Sequence, residues 1–128
     1  MDNGTREKRR YERFAVMDYA MVHTDDGTPP FRAMIVDVGI GGVQVRSREQ
    51  MPVGRTCHLE IGGDTGKLVL RGEVRHSRAI EGSDLFATGV RFLPSCHEER
   101  AGIARYVHRA FVEQRELRFA DRDDGSID

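Results

Sequence analysis

The sequence predicts a mainly β domain: a closed or nearly closed six-stranded antiparallel β-barrel followed by one C-terminal α-helix. Six short segments carry apolar side chains at alternate positions and are separated by residues that favour turns. No helical pattern interrupts them, which excludes an alternating βαβ order. After Pro94 the apolar spacing changes from two residues to near four. We expect a barrel because closure removes the edges that such short strands would expose.

The first three strands are predicted from alternating apolar and polar side chains. Residues 15–23 form the first strand, and turn-forming residues at 25–30 make a loop before the second. Residues 31–36 place apolar side chains at alternate positions, so one row of them faces inward. The glycine-rich segment 37–42 ends this strand, and residues 43–46 alternate again as the third strand.

Three further strands complete the barrel, at residues 57–61, 67–76 and 86–92. Segments rich in glycine, serine and aspartate separate them at 62–66 and 81–84. Gly89 would weaken an ordinary strand, so we expect a bend or a close backbone approach at this position.

The C-terminal helix is predicted from residue 95 onward. Ser95 followed by Glu98 has the form of a capping box, in which the two side chains satisfy free backbone N–H groups of the first turn. The apolar residues that follow recur on one helical stripe, which we expect to cover the mouth or flank of the barrel: Ile103, Tyr106, Val107, Ala110 and Phe111.

The domain is predicted to span residues 14–119. Residues 1–13 are almost free of apolar side chains and are expected to form a flexible arm. Residues 120–128 are acidic and are expected to form a disordered tail. The basic residues of the arm are close together, at Arg6, Lys8, Arg9, Arg10 and Arg13.

Charge and cysteine content exclude several classes of protein. The chain has 20 basic and 21 acidic residues, and the net charge of −1 argues against coating of DNA or acidic membranes. No segment has the length and composition of a membrane span or a signal peptide, so we expect a cytoplasmic protein. Cys57 and Cys96 form no CxxC motif and are expected to be buried, reduced thiols.

Two motifs suit the recognition of a nucleotide. The segment 9–13 contains Arg9, Arg10 and Arg13, and guanidinium groups pair bidentately with phosphates and stack on purines. The segment 37–42 begins with Asp37, whose carboxylate can accept hydrogen bonds from the N1–H and amino groups of a guanine. Taken alone, the first motif is also typical of a solvated basic tail, and the second of a glycine-rich turn with a capping aspartate.

In combination the two motifs resemble the PilZ family of bacterial cyclic di-GMP receptors, whose pattern is RxxxR followed by D/NxSxxG. Here RxxxR lies at 9–13 and DxGxxG at 37–42. Residues 72–76 and 87–92 look like the two closing strands of the family, so the resemblance spans residues 8–111. It implies a six-stranded split barrel with a C-terminal helix, which binds cyclic di-GMP between the arm and the barrel surface.

The resemblance also implies which residues bind the nucleotide. Arg9 and Arg13 match the arginines that hold phosphate and guanine, and Arg10 matches a frequent additional arginine. Asp37 and Gly42 match the second motif.

Gly39 and His76 also belong to the predicted site, and each has an alternative interpretation. Gly39 stands where the family usually has serine, and a missing hydrogen bond of this kind costs ~0.5–1.5 kcal/mol, although the backbone N–H remains available. His76 falls where relatives often carry an aromatic or basic residue near the ligand. The parity of its strand, in contrast, favours a core histidine on the face of Leu70 and Val74.

No catalytic pattern is present in the sequence. The five histidines form no HExxH arrangement, and no GK[ST] follows the glycine-rich segment. We therefore expect a non-enzyme without metal or cofactor, which binds cyclic di-GMP, changes conformation and signals to a protein partner. The alternative is a PilZ-like protein-interaction module that no longer binds the nucleotide. A single-stranded nucleic-acid binder is disfavoured by the low aromatic content and near-neutral charge.

Overall fold

A computed structural model describes residues 12–62 and 67–127 of the chain, with side chains described through residue 116. Its elements are the strands β1 (Arg13–Thr24), β2 (Phe31–Gly39), β3 (Gly42–Ser47), β4 (Thr56–Ile61), β5 (Leu68–Ala79) and β6 (Phe86–Phe92), and the helix α1 (His97–Ile127). The predicted order of six strands and one C-terminal helix is confirmed.

The six strands form a closed barrel in the order β1-β2-β3-β6-β5-β4. Every neighbouring pair is antiparallel, and β1 closes the barrel because it pairs with β2 on one side and with β4 on the other. Every strand therefore has two neighbouring strands, although β1 pairs with β4 only through residues 21–24. The predicted antiparallel barrel is confirmed.

The barrel interior is filled by the alternate apolar residues of the strands. Val43 and Val45 of β3 and Leu59 of β4 are almost completely buried, as are Leu70 and Val74 of β5. Burying one such side chain contributes ~1.5–3 kcal/mol. The inward rows are the ones that the period-two pattern predicts.

β-Bulges interrupt this alternation in β1, β2 and β5, and the one in β5 moves a site residue. The register between β5 and β6 shifts between Val74 and His76. A bulge inserts an extra residue into one strand, so the parity of the following side chains changes. His76 is consequently exposed on the outer face, and the interpretation of His76 as a core histidine is wrong.

The helix α1 covers part of the barrel with the predicted stripe. Ile103, Tyr106 and Ala110 are buried, with Val107 and Phe111 packed against the same core. Burial and a hydrogen bond to Asp18 raise the pKa of the Tyr106 phenol, which donates to Asp18 Oδ2 over 2.6 Å.

The start of the helix differs from the predicted capping box. Ser95 donates from its backbone N–H and its hydroxyl to Oε1 of Glu99, at 2.6 and 2.8 Å. The side chain of Glu98, which the sequence predicts for this role, makes no hydrogen bond among the described residues. A capping box at Ser95 requires the helix to begin at residue 96, whereas it begins at His97. This shift of one residue brings Glu99, and not Glu98, within reach of Ser95.

The two ends of the domain also differ from the sequence-based boundaries. Arg13 is the first residue of β1 and not the last residue of the arm. The helix backbone continues to Ile127 and includes residues predicted as a tail. Residues 112–124 contain neither glycine nor proline, so nothing in their sequence stops the helix. No helix in the described part of the chain is long and apolar enough to cross a membrane.

The two cysteines lie in different environments. Cys57 is buried in the core, and burial raises the pKa of its thiol to about 11. Cys96 is exposed beside the first turn of α1, where the chain leaves the barrel. The prediction of buried thiols is therefore confirmed for Cys57 and wrong for Cys96.

Candidate functional site

Four adjacent strands bring a row of site residues together on the outer face of the barrel. The strand register pairs Asp37 of β2 with Gln44 of β3, Gln44 with Gly89 of β6, and Gly89 with His76 of β5. Gln44 points outward because its neighbours Val43 and Val45 fill the core. Residues far apart in sequence thus form one continuous surface.

Arg13 connects the two sequence motifs. Its Nε donates to Oδ1 of Asp37 at 2.5 Å, and its Nη2 donates to the carbonyl oxygen of Gly42 at 3.4 Å. Both side chains of the ion pair remain more than a third exposed, so the pair adds little stability. Its main effect is to hold one guanidinium at the end of β1 beside the tight turn between β2 and β3.

His76 lies over the backbone of β6 at Gly89. A Cβ atom built on residue 89 would lie 2.2 Å from Nε2 of His76, so any other residue would displace the ring. The side-chain nitrogen of Gln44 lies 3.5 Å from the same ring nitrogen. A close approach at Gly89 was predicted, and the approaching group is the side chain of His76.

Two glycines of the second motif, Gly39 and Gly42, are in close contact with other parts of the backbone. A Cβ atom on Gly42 would lie 2.1 Å from the carbonyl oxygen of Val90, so Gly42 allows β3 to approach β6. A Cβ atom on Gly39 would lie 2.8 Å from the carbonyl oxygen of Glu12. The glycine at position 39 therefore lets the segment before β1 pack directly against β2.

A cleft of about 180 Å³ lies between these groups. It is lined by Arg13, the segment 41–44, Arg75, His76 and the segment 89–91. Arg75 and Arg91 both form ion pairs with Glu73, at 3.3 and 3.6 Å. The cleft therefore has a guanidinium on both sides and an exposed imidazole in its wall.

A second groove, of about 390 Å³, adjoins the cleft. Gly41 and Arg91 line both of them. The rest of the groove is mainly apolar, with Phe92, Pro94 and Ile103 in its wall and Arg100 at the helix. Together the cleft and the groove reach the size of roughly 300–1,000 Å³ that is typical of small-molecule sites.

The structure brings most of the predicted site residues together. Arg13 and Asp37 are in contact, Gly42 and His76 line the cleft, and Gly39 lies behind Arg13 against Glu12. Arg9 and Arg10 lie outside the described residues.

Sequence reasoning missed Gln44 and Arg91 as site residues. Both alternate with buried residues on their strands, so the sequence predicts that their side chains point outward. The sequence does not predict that the two residues lie close together, because this follows from the register of β3 and β6.

Solved structures with a similar fold are PilZ domains. The PilZ domain of YcgR from Escherichia coli, solved with cyclic di-GMP, gives a TM-score of 0.67 at 18% identity and covers 86% of this chain and 96% of that one. The PilZ domain of CeSA from a cellulose-synthesizing bacterium gives 0.61 at 16% identity, covering 76% and 95%. The complex of K. pneumonia MrkH with cyclic di-GMP gives 0.67 at 14% identity, covering 85% of this chain and 55% of MrkH.

At these identities the structural likeness shows the fold alone. No curated protein matches the sequence. The family model described as PilZ domain matches residues 7–109, which is most of the 128-residue chain and includes both the arginine motif and the segment 37–42. The chain therefore belongs to the PilZ domain family.

Proposed function

We propose that this chain is a regulatory domain, and not an enzyme, that binds cyclic di-GMP, changes conformation and signals to a protein partner. The observation that carries the proposal is the position of Arg13. It contacts both Asp37 and Gly42 at the edge of a cleft that His76 and Arg91 complete. Membership of the PilZ family supports the proposal, as do the cyclic di-GMP complexes of two proteins with this fold.

The chemistry of the cleft fits a ligand with phosphates and guanine bases. The guanidinium of Arg13 stays charged and presents donors that match phosphate oxygens. The carboxylate of Asp37 can accept from the N1–H and amino groups of guanine. The exposed imidazole of His76 offers a flat face, and base stacking on an aromatic side chain contributes ~1–3 kcal/mol per base. Arg13 and His76 of the cleft thus suit the phosphate and the base, and Asp37, which contacts Arg13 beside the cleft, suits the guanine edge.

The ion pair of Arg13 and Asp37 orients both groups before the ligand binds. An oriented guanidinium loses less side-chain entropy on binding than a free one. A phosphate entering beside Arg13 shares this guanidinium with Asp37, and the carboxylate then becomes available for the guanine edge. We place Arg9 and Arg10 on the ligand from the arm, as the family pattern suggests.

A route for the signal begins at the residue after Arg13. Phe14 packs edge-on against Phe111 of α1, with ring centroids 5.5 Å apart. The backbone N–H of Ala15 donates to Oε1 of Gln114 at 2.9 Å. A shift of Arg13 on ligand binding therefore displaces two residues that hold α1 to the barrel, and we propose that α1 carries the change to the partner.

Isothermal titration calorimetry with cyclic di-GMP tests the proposed function. Arg13→Ala removes the group that joins the two motifs and should weaken binding at least tenfold. Arg55→Ala is the matched control, because Arg55 is also an exposed arginine in an ion pair, here with Asp25, and does not line the cleft. Equal affinities of the wild type and the Arg13 variant would refute the site.

Gly39 favours a second candidate, a PilZ-like interaction module that no longer binds the nucleotide. The position lacks the family's serine hydroxyl, and the backbone of Glu12 occupies the space of a side chain there. This candidate predicts no thermal shift with cyclic di-GMP, together with a stable complex between the chain and a cellular partner protein.

A further inference from the structure

The outer face of β1 exposes large apolar side chains beside arginines. Met17, Tyr19 and Met21 are 78%, 64% and 42% exposed, and they alternate with residues that face the barrel or the helix. The register places Tyr19 opposite Met34 of β2, and Met21 opposite Arg32. An apolar surface of this kind costs solvation free energy unless a partner covers it.

A groove of about 610 Å³ lies on this face. We call it the Tyr19 groove and define it by the side chains Tyr19, Arg32, Met34, Arg46 and Arg48, with Phe31 and Leu85 at its ends. Met34 pairs across the sheet with Arg46, so aromatic, thioether and guanidinium groups alternate across three strands.

From this groove we infer a docking surface for an acidic segment of a partner protein that also carries aliphatic side chains. The composition supports a protein partner. Tyrosine, phenylalanine, methionine and arginine are enriched in the cores of protein interfaces, where lysine is depleted. Tyrosine and arginine dominate interface hot spots, and methionine adapts its shape to varied partners.

The charge of the groove determines the chemistry of the partner. Its lining includes Arg32, Arg46 and Arg48 but only one carboxylate, that of Glu49. Arg32 lies over the ring of Tyr19, 5.6 Å from its centroid, and forms no ion pair among the described residues. Arg46 likewise has no ion-pair partner in the described part of the chain, and Arg48 shares a 3.6 Å contact with exposed Asp84. An acidic segment therefore complements the groove.

The closed barrel determines how the partner binds. At Met34 and Arg46, β2 and β3 are paired with a neighbouring strand on both sides, so a partner strand cannot add to the sheet at the groove. The partner must be recognised by side chains, with its carboxylates on the guanidiniums and its aliphatic groups on Tyr19 and Met34.

The groove adjoins the proposed ligand cleft. Gln44 lines the cleft and Arg46 lines the groove, and they are two residues apart on the same face of β3, which corresponds to about 7 Å. The inference thus extends the proposed signalling function by naming where the partner binds. Its test uses no nucleotide, so a failure of either proposal can be recognised separately.

Methionine methyl NMR of the full chain tests this surface. The probe is a short soluble peptide of aspartate and glutamate with two leucines. We expect it to shift the methyl signals of Met21 and Met34, while Met51, which is 1% exposed in the core, stays unchanged and reports an intact fold. A peptide with lysine in place of the acidic residues should cause no shift.

Charge-reversed variants locate the binding site. Arg46→Glu should weaken binding of the acidic peptide at least tenfold, and Arg32→Glu is a second, independent variant. Arg105→Glu makes the same charge change at an exposed position of α1 and should bind as the wild type does.

Three results would overturn the inference. These are unchanged Met21 and Met34 signals with the acidic peptide, equal binding of the lysine peptide, or wild-type affinity in both groove variants. Met34 shifts that depend on protein concentration alone would instead assign the groove to a second copy of the chain.

Discussion

The imidazole of His76 covers Gly89, and the two residues pair across β5 and β6. Gly89 leaves room for the ring on the outer face of the barrel, where it forms a wall of the cleft. The bulge after Val74 is what directs the ring outward. The site therefore depends on a backbone irregularity as well as on side chains.

Gly89→Ala should weaken binding of cyclic di-GMP with little loss of stability. The added methyl group displaces the end of an exposed, flexible side chain, so the free energy of unfolding should change by less than ~1 kcal/mol. The affinity should fall about tenfold if the ring contributes ~1–3 kcal/mol of base stacking. Calorimetric titration and urea unfolding measure the two quantities. Gly62→Ala, which meets no atom within 4 Å and does not line the cleft, is the control, and equal affinities of the two variants would remove His76 from the site.

Gly39→Ser should raise the affinity for cyclic di-GMP. A side chain at this position pushes the carbonyl of Glu12 away from β2, and the hydroxyl restores a hydrogen bond worth ~0.5–1.5 kcal/mol, or up to about tenfold in affinity. Gly39→Ala displaces Glu12 without supplying a hydroxyl and should bind no more tightly than the wild type. A calorimetric titration in which the serine variant binds more weakly than the wild type would contradict this explanation of Gly39.

His58 should make the fold less stable in mild acid. Its ring stacks on His23 at a centroid distance of 4.6 Å, and its pKa is lowered first by burial and then by the electrostatic effect of His23. The charge of Glu60, which lies 2.6 Å from His23, raises the pKa of His58, and the charge of Arg71 lowers it.

The sign of the pH effect follows from the lowered pKa. The unfolded chain binds a proton near the ordinary pKa of 6.5, whereas the folded chain binds it only at lower pH, so stability is full above that value and falls as the pH decreases through the folded pKa. Urea unfolding at several pH values should show this loss in the wild type and a smaller one in His58→Gln. The variant His97→Gln, which changes an exposed histidine, should lose as much stability in acid as the wild type does. If His58→Gln also loses as much, the loss of stability is due to other groups.

Gln114→Ala should separate ligand binding from the response of the helix. The variant loses the hydrogen bond to Ala15 and keeps every residue of the cleft, so its affinity for cyclic di-GMP should stay within about twofold. Hydrogen exchange of α1 should slow on ligand binding in the wild type and respond less in the variant. Glu113→Ala changes the neighbouring exposed residue and should respond as the wild type does. An undiminished response in the Gln114 variant would exclude this route.

The sequence predicts the barrel well because burial imposes a regular period. Val43, Val45 and Leu59 face the core in the predicted rows. The alternation of inward and outward side chains gives the wrong direction for His76, because nothing in the local sequence indicates the bulge after Val74. The contributions of Gln44 and Arg91 depend on strand register, which is a property of the whole barrel.

The two-motif pattern was informative for the site because its residues meet in space. Arg13 and Asp37 are 24 positions apart and form one ion pair. No local pattern predicts that contact, whereas the resemblance to the PilZ family assigns both residues to one ligand site. The packing of Glu12 against Gly39 could not be predicted from the sequence, because it depends on the register of β1 against β2.

The central claim is that a guanine nucleotide occupies the cleft between Arg13 and His76. Isotope-filtered NMR of the labelled chain with unlabelled cyclic di-GMP tests it most directly, because it detects contacts between individual protons. We predict contacts from the guanine and ribose protons to the ring of His76 and the side chain of Gln44. Contacts confined to Tyr19 and Met34, or none at saturating ligand, would contradict the account.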